Sequence, residues 1–130
     1  MSITDYDNLQ EQENSKQLAI DFDGVIHKNS KGFYDGTIYD EPIEGSTQAV
    51  KELAKKYDIV IFTAKAKPDR PLVDGKTGTE LVADWLDKHG LLAYIKEITS
   101  EKPRAVAYID DKAIHFTSWQ QTIGILNEQQ

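Results

Sequence analysis

The sequence predicts an α/β fold, with a doubly wound, three-layer arrangement and a mostly parallel sheet. The apolar run at residues 17–22 has the continuous hydrophobic character of a strand buried on both faces, and further strands are predicted at residues 58–62, 94–98 and 105–109. Helical patterns separate the first three strands. Strands that alternate with helices favour parallel pairing, so we expect their carboxyl ends to meet at one edge of the sheet.

Length and composition predict one domain over residues 17–130, preceded by a flexible polar tail at residues 1–16. The chain has 130 residues, a net charge of −7 and no cysteine, which excludes disulfides and thiolate metal sites. No apolar stretch approaches the roughly 20 residues that span a bilayer, and the N-terminus lacks a signal-peptide pattern. We therefore expect a cytoplasmic protein without membrane partners. The acidic charge disfavours nucleic acid as a partner.

The first half of the domain is predicted as strand, flap, helix and strand. The first strand, at residues 17–22, leads into residues 25–39, where turn residues between apolar pairs indicate one or two small β-hairpins that form a flap. A helix begins near Ser46 and continues through Tyr57, because apolar residues recur there at helical spacing. The second strand ends at Thr63, and a polar loop follows at residues 64–76.

The second half begins with a capping-box pattern, in which Thr77 and Glu80 lie three residues apart. The helix that follows ends at Gly90, a residue that commonly terminates helices. The third and fourth strands come next, and residues 113–127 are predicted to form a short edge strand and a closing helix.

Polar residues follow the predicted strands at the edge where ligands bind in parallel sheets. They are four acids, one hydroxyl residue and one amine: Asp21, Asp23, Thr63, Lys102, Asp110 and Asp111. Asp21 and Asp23 are two residues apart, so they point to the same side of the first strand. Two carboxylates held this close favour a hard dication such as Mg²⁺.

Phosphoryl transfer to a carboxylate nucleophile requires this set of groups. An aspartate is ionised at neutral pH and needs no base, but it repels an incoming phosphate dianion unless a bound metal ion intervenes. Lys102 and the Thr63 hydroxyl are suited to hold the phosphoryl oxygens. Asp23 is placed to protonate the leaving oxygen and then to deprotonate the water that hydrolyses the phosphorylated aspartate.

The chain resembles the haloacid dehalogenase superfamily, most of whose members are phosphatases. The resemblance covers residues 17–116 and rests on Asp21-Phe-Asp-Gly-Val, the strand end at Phe62-Thr63, Lys102, and Ile109-Asp110-Asp111. It implies that Asp21 is the nucleophile and Asp23 the general acid and base. It also implies that Mg²⁺ is held by Asp21, the main-chain carbonyl of Asp23 and Asp110, with Asp111 nearby.

The chain departs from the family pattern at two positions. Val25 stands where many members carry threonine, and only seven residues separate Lys102 from Asp110, which leaves no room for the helix that commonly carries the lysine. Lys96 or Lys65 is therefore an alternative to Lys102.

The intervals between the motifs hold no cap domain. In a capless member, selectivity would depend on the flap and on the loop after the second strand; the residues concerned are His27, Lys28, Phe33, Tyr34, Tyr39, Lys65, Lys67 and Arg70. The histidines receive no catalytic role. A magnesium-dependent phosphomonoester hydrolase acting on a small phosphorylated metabolite or nucleotide is the expected function.

Three alternatives remain at this stage. The first is a nucleic-acid end phosphatase, which an open site would admit. The second is a receiver-like signalling domain, although receivers carry the acid pair on the first strand and a single aspartate on the third, and this chain has the pair last. The third is a module that binds Mg²⁺ and phosphate without turnover.

Overall fold

The computed structural model describes residues 16–103, 105, 107–110, 114–115 and 118–128. Its strands are β1 (Gln17–Asp21), β2 (Asp58–Phe62), β3 (Ile95–Thr99), β4 (Ala107–Asp110) and β5 (Ile114–His115). Its α-helices are α1 (Ser46–Leu53), α2 (Gly78–Lys88) and α3 (Trp119–Glu128), and 3₁₀ turns lie at Ala64–Ala66 and Leu92–Tyr94.

The strands form one sheet in the order β3-β2-β1-β4-β5, and every pairing between them is parallel. This confirms the predicted α/β fold with a parallel sheet, in a Rossmann-like layout. The chain moves from β1 outward to β2 and β3, then returns to the other side of β1 to form β4. Strand order therefore reverses between β1 and β4, and in such sheets the crevice beyond the carboxyl ends at this point is where ligands bind.

The central strand β1 is buried because its neighbours and the helices cover it. Leu18, Ala19 and Ile20 have no exposed surface, and Ile61 and Ile109 on the flanking strands are also fully buried. Burial on both faces of the strand explains why the sequence here is continuously apolar rather than alternating.

Helix α2 begins as the sequence predicts. The Thr77 hydroxyl accepts a hydrogen bond from the Glu80 N–H, and the Glu80 carboxylate accepts one from the Thr77 N–H, which completes the capping box. Helix α1 is shorter than predicted, because it ends at Leu53 and residues 54–56 form turns before β2. Strand β5 and helix α3 confirm the predicted edge strand and closing helix.

The flap differs from the predicted hairpins. Residues 24–44, all of which the structure describes, contain turns and isolated bridges but no regular strand. Its two limbs pair only at the base, where the Lys28 N–H donates to the Glu41 carbonyl and the Ile43 N–H donates to the Ile26 carbonyl. Glycines and residues with positive φ, including Asn29 and Tyr34, bend the chain too often for a ladder to form.

The predicted tail at residues 1–16 lies outside the described residues except for Lys16, whose carbonyl accepts a hydrogen bond from the Asp58 N–H. None of the helices in the described residues has the length and apolar character of a membrane-spanning segment.

Candidate active site

The carboxyl ends of β1, β2 and β4 place three of the predicted site residues side by side. Asp21 ends β1 and is paired in register with Phe62, the last residue of β2, so Thr63 follows immediately beyond. Ile20 is paired with Ile109. Because the strands are parallel, the backbone of Asp110, one residue further along β4, lies next to that of Asp21. Of the predicted site residues, Asp111 lies outside the described residues.

A tight turn after β1 determines where Asp23 points. The Phe22 carbonyl accepts hydrogen bonds from the N–H groups of Val25, Ile26 and His27, and Gly24 provides the positive φ (80°) that the turn requires. The Asp21 carboxylate accepts a hydrogen bond from the Phe22 N–H at 2.7 Å. The turn brings His27 back beside Asp23, four residues earlier in the chain.

The Asp23 carboxylate is held on both oxygens. Its Oδ1 lies 2.9 Å from Nδ1 of His27, and its Oδ2 lies 2.7 Å from Nζ of Lys65. The side chain of Asp23 is 24% exposed, against 10% for Lys65 and 0% for His27. Asp23 therefore faces solvent between two buried partners, which fix the plane of its carboxylate.

These partners keep Asp23 ionised. Burial by itself raises the pKa of the Asp23 carboxyl, but the hydrogen bonds from His27 and Lys65 and the charge of Lys65 outweigh it, so that the pKa lies below its ordinary value. Asp23 is thus a carboxylate at neutral pH in the protein without substrate.

Lys65 reaches Asp23 because the chain turns sharply after β2. Thr63 is buried, and its Oγ1 accepts a hydrogen bond from the Lys65 N–H at 3.2 Å, which begins the 3₁₀ turn. Since Oγ1 accepts this bond, the Thr63 hydroxyl proton remains available to donate. The first residue of α2, Gly78, packs against the turn so closely that a Cβ there would lie 1.6 Å from the Lys65 carbonyl oxygen.

The structure places the other two candidate lysines differently. The ammonium of Lys102 lies 4.3 Å from the ring centroid of Tyr108 and 5.8 Å from that of Phe62. Because Phe62 is paired in register with Asp21 and so shares its face of the sheet, Lys102 lies over the face that carries Asp21. Lys96 bonds Gln17 at the opposite, amino-terminal edge of the sheet, so it cannot serve the site.

The ligand atoms available at this edge of the sheet are oxygens, which is the kind of ligand that a hard cation binds. Asp21 and Asp23 carry carboxylate and carbonyl oxygens, and the backbone of Asp110, a third acidic residue, lies beside that of Asp21. Within the described residues, no group of three or more potential ligand side chains converges. The described side chains include those of Asp21 and Asp23 but not those of Asp110 and Asp111.

The flap meets the site beside Lys65. Phe33, Lys65 and Arg70 line a small cavity of about 80 Å³, and the guanidinium of Arg70 lies 5.7 Å from the Phe33 ring centroid. Phe33 and Tyr34 are 60% and 62% exposed. Three of the residues expected to control selectivity, Phe33, Lys65 and Arg70, therefore lie together, and one of them, Lys65, contacts Asp23.

His27 was expected among the flap residues that affect selectivity and was given no catalytic role, yet it contacts Asp23 directly. The sequence feature that could have indicated this contact is the position of His27, four residues after Asp23 across a glycine turn.

Comparison of the chain with protein-family models, with curated proteins and with solved structures finds no match.

Proposed function

We propose that the chain is a magnesium-dependent phosphomonoester hydrolase of the capless haloacid dehalogenase type, in which Asp21 is the nucleophile. The observation that carries the proposal is the pair Asp21 and Asp23 at the carboxyl end of the central strand, at the point where strand order reverses and beside the backbone of Asp110. The three-layer packing and open, uncapped site predicted from the sequence belong to this proposal.

Asp21, the Asp23 carbonyl and Asp110 would hold Mg²⁺, whose charge would offset the repulsion between the Asp21 carboxylate and a phosphate dianion. An oxygen of Asp21 attacks phosphorus and the bond from phosphorus to the leaving oxygen breaks, which leaves Asp21 phosphorylated. The Thr63 hydroxyl and the ammonium of Lys102 stabilise the phosphoryl oxygens during this transfer.

Asp23 acts in both halves of the reaction. In the first half it gives a proton to the leaving oxygen; because the Asp23 carboxyl is ionised in the protein without substrate, that proton must enter with the phosphate group of the bound substrate. In the second half its carboxylate takes a proton from water, the water oxygen attacks phosphorus, and Asp21 is regenerated as inorganic phosphate leaves. The lowered pKa of Asp23 suits the second half, since the water must meet a base. Substrates with leaving groups of low pKa depend least on the first proton transfer.

Hydrolysis of p-nitrophenyl phosphate tests the proposal, because p-nitrophenolate leaves with little need of a proton. We expect release with Mg²⁺, none with EDTA, and a loss of at least about 10³-fold in Asp21→Asn, since an amide cannot act as the nucleophile. Asp87→Asn is the matched control, because Asp87 is an exposed residue of α2 and lies outside the site.

Retention of activity in Asp21→Asn would remove the nucleophile assignment and with it the proposed mechanism. Acetyl phosphate separates the hydrolase from a receiver-like domain: rapid turnover supports hydrolysis, whereas an Asp21 that stays phosphorylated for minutes supports signalling.

A further inference from the structure

His27 is a fully buried histidine with aromatic rings on several sides. Its ring stacks on Phe22 with centroids 5.4 Å apart, and it makes T-shaped contacts with Tyr39 and Trp85, at centroid distances of 5.4 Å and 5.6 Å. A phenylalanine would satisfy this packing. An imidazole buried here needs hydrogen-bond partners for both nitrogens, because a polar group without a partner in the interior is costly.

Both nitrogens do have partners, and the partners determine the tautomer. Nε2 lies 3.0 Å from the backbone N–H of Asp40, which can only donate, so Nε2 is the acceptor. Nδ1 must therefore carry the hydrogen, and it donates to Oδ1 of Asp23 at 2.9 Å. The ring thus links the Asp23 carboxylate to the backbone of Asp40.

Asp40 lies at the base of the flap, next to Glu41, which pairs with Lys28. Its carbonyl accepts a hydrogen bond from the indole N–H of Trp85 at 3.0 Å, and its carboxylate accepts bonds from both the backbone N–H and the hydroxyl of Ser30. The base of the flap is therefore anchored to α2 through Trp85 and to Asp23 through His27.

We propose that His27 is a positioning residue, which fixes the orientation of the Asp23 carboxylate and joins it to the base of the flap. This inference rests on the proposed phosphatase function. Lys65 contacts only Oδ2, and one contact from a flexible lysine side chain fixes the plane of the carboxylate less well than two contacts on opposite oxygens do. A misplaced carboxylate transfers protons poorly, whereas substrate binding, which needs no such orientation, changes little.

Two substitutions separate positioning from packing. In His27→Asn the side-chain amide can occupy the place of Nδ1 and donate to Asp23, but it cannot reach Asp40. In His27→Gln the longer amide reaches the place of Nε2 and can accept from Asp40, but it presents no donor to Asp23. Glutamine is closer to histidine in size, so a packing role predicts that His27→Gln is the better tolerated of the two.

The experiment measures kcat and KM for phenyl phosphate, whose leaving oxygen needs a proton more than p-nitrophenolate does, with Mg²⁺, together with thermal unfolding of each variant. We expect kcat of His27→Gln to fall about tenfold to a hundredfold with KM within about threefold of wild type, and His27→Asn to recover most of kcat although it is the less stable protein. Equal losses of kcat, or better activity in His27→Gln, overturn the proposal while the wild-type activity still supports the phosphatase.

Two further outcomes are decisive. Wild type without phosphatase activity removes the proposed function, and the positioning role falls with it. If neither variant folds, the ring nitrogens of wild-type His27 decide the question by long-range ¹H–¹⁵N NMR: a neutral ring protonated on Nδ1 supports the link to Asp23, and one protonated on Nε2 overturns it.

Discussion

Lys65→Met tests whether the ion pair in the candidate site stabilises the fold. The substitution removes the ammonium and keeps an unbranched side chain of similar length. The Nζ–Oδ2 distance to Asp23 is 2.7 Å, and the two side chains are 10% and 24% exposed. Water therefore replaces the lost partner incompletely, and we expect a measurable loss of stability.

The expected loss is about 2 kcal/mol in the free energy of unfolding. A hydrogen bond to a charged group contributes about 1.5–3 kcal/mol. Breaking a fully buried pair costs more, about 3–5 kcal/mol. The lower range applies here because Asp23 is partly exposed and keeps its bond from His27. With an unfolding entropy of about 2.1 cal/mol/K per residue, a loss of 2 kcal/mol lowers Tm by about 7 °C.

Lys55→Met is the matched control. Lys55 lies 3.4 Å from Glu52, and the two side chains are 72% and 59% exposed. Exposed pairs of this kind contribute about 0–0.5 kcal/mol. Differential scanning calorimetry of both variants at pH 7 without added metal should therefore show a large shift for Lys65→Met and almost none for Lys55→Met.

The dependence on pH checks the cause. Burial raises the pKa of Asp23, but its bonds to His27 and Lys65 and the charge of Lys65 bring the pKa below the ordinary value of 3.8. A carboxyl with a lowered pKa stabilises the fold above its ordinary pKa, and this contribution disappears as pH falls through the lowered pKa. The Tm difference between wild type and Lys65→Met should hold steady above about pH 5 and shrink below it.

Two results would refute this reasoning. One is a Tm loss in Lys65→Met no larger than that in Lys55→Met, which would show that the pair adds nothing beyond a surface contact. The other is a loss that stays the same as Asp23 becomes protonated, which would assign the effect to packing rather than to charge.

Further predictions concern the loop and the flap that surround Asp23. Gly78→Ala should destabilise the fold by about 1–3 kcal/mol and reduce activity, because a Cβ would lie 1.6 Å from the Lys65 carbonyl oxygen. Gly124→Ala in α3, where a Cβ meets nothing within 4 Å, should stabilise it by about 0.5–1 kcal/mol; similar Tm changes in the two variants would contradict the close contact. The side-chain and backbone bonds from Ser30 lower the pKa of Asp40 to about 2, so Ser30→Ala should raise this pKa toward 3.8 in a ¹³C titration, and an unchanged value would show that the hydroxyl bond is absent.

Features that depend on local sequence were predictable. The parallel sheet followed from apolar runs that alternate with helices, and the start of α2 followed from Thr77 and Glu80, whose spacing allows the two reciprocal bonds. The structure of the flap was not predictable in this way, because apolar pairs around turns at residues 25–39 are compatible with a hairpin and with a series of turns. The positive φ angles of Asn29 and Tyr34 distinguish them, and these angles are not evident from the sequence.

The sequence predicts where Asp21 and Asp23 lie along the chain, but it names Lys65 only as an alternative to Lys102 and does not show that Lys65 contacts Asp23; strand register explains this contact. Asp23 and Lys65 are 42 residues apart, and Lys65 belongs to a segment whose polar composition is typical of a solvated loop. Once Asp21 is paired with Phe62, however, Asp23 lies two residues beyond one strand end and Lys65 three beyond the next. The 3₁₀ turn and the contact of Gly78 with its backbone then fold Lys65 back over the sheet edge. Strand register, more than residue type, therefore decides which cation reaches Asp23.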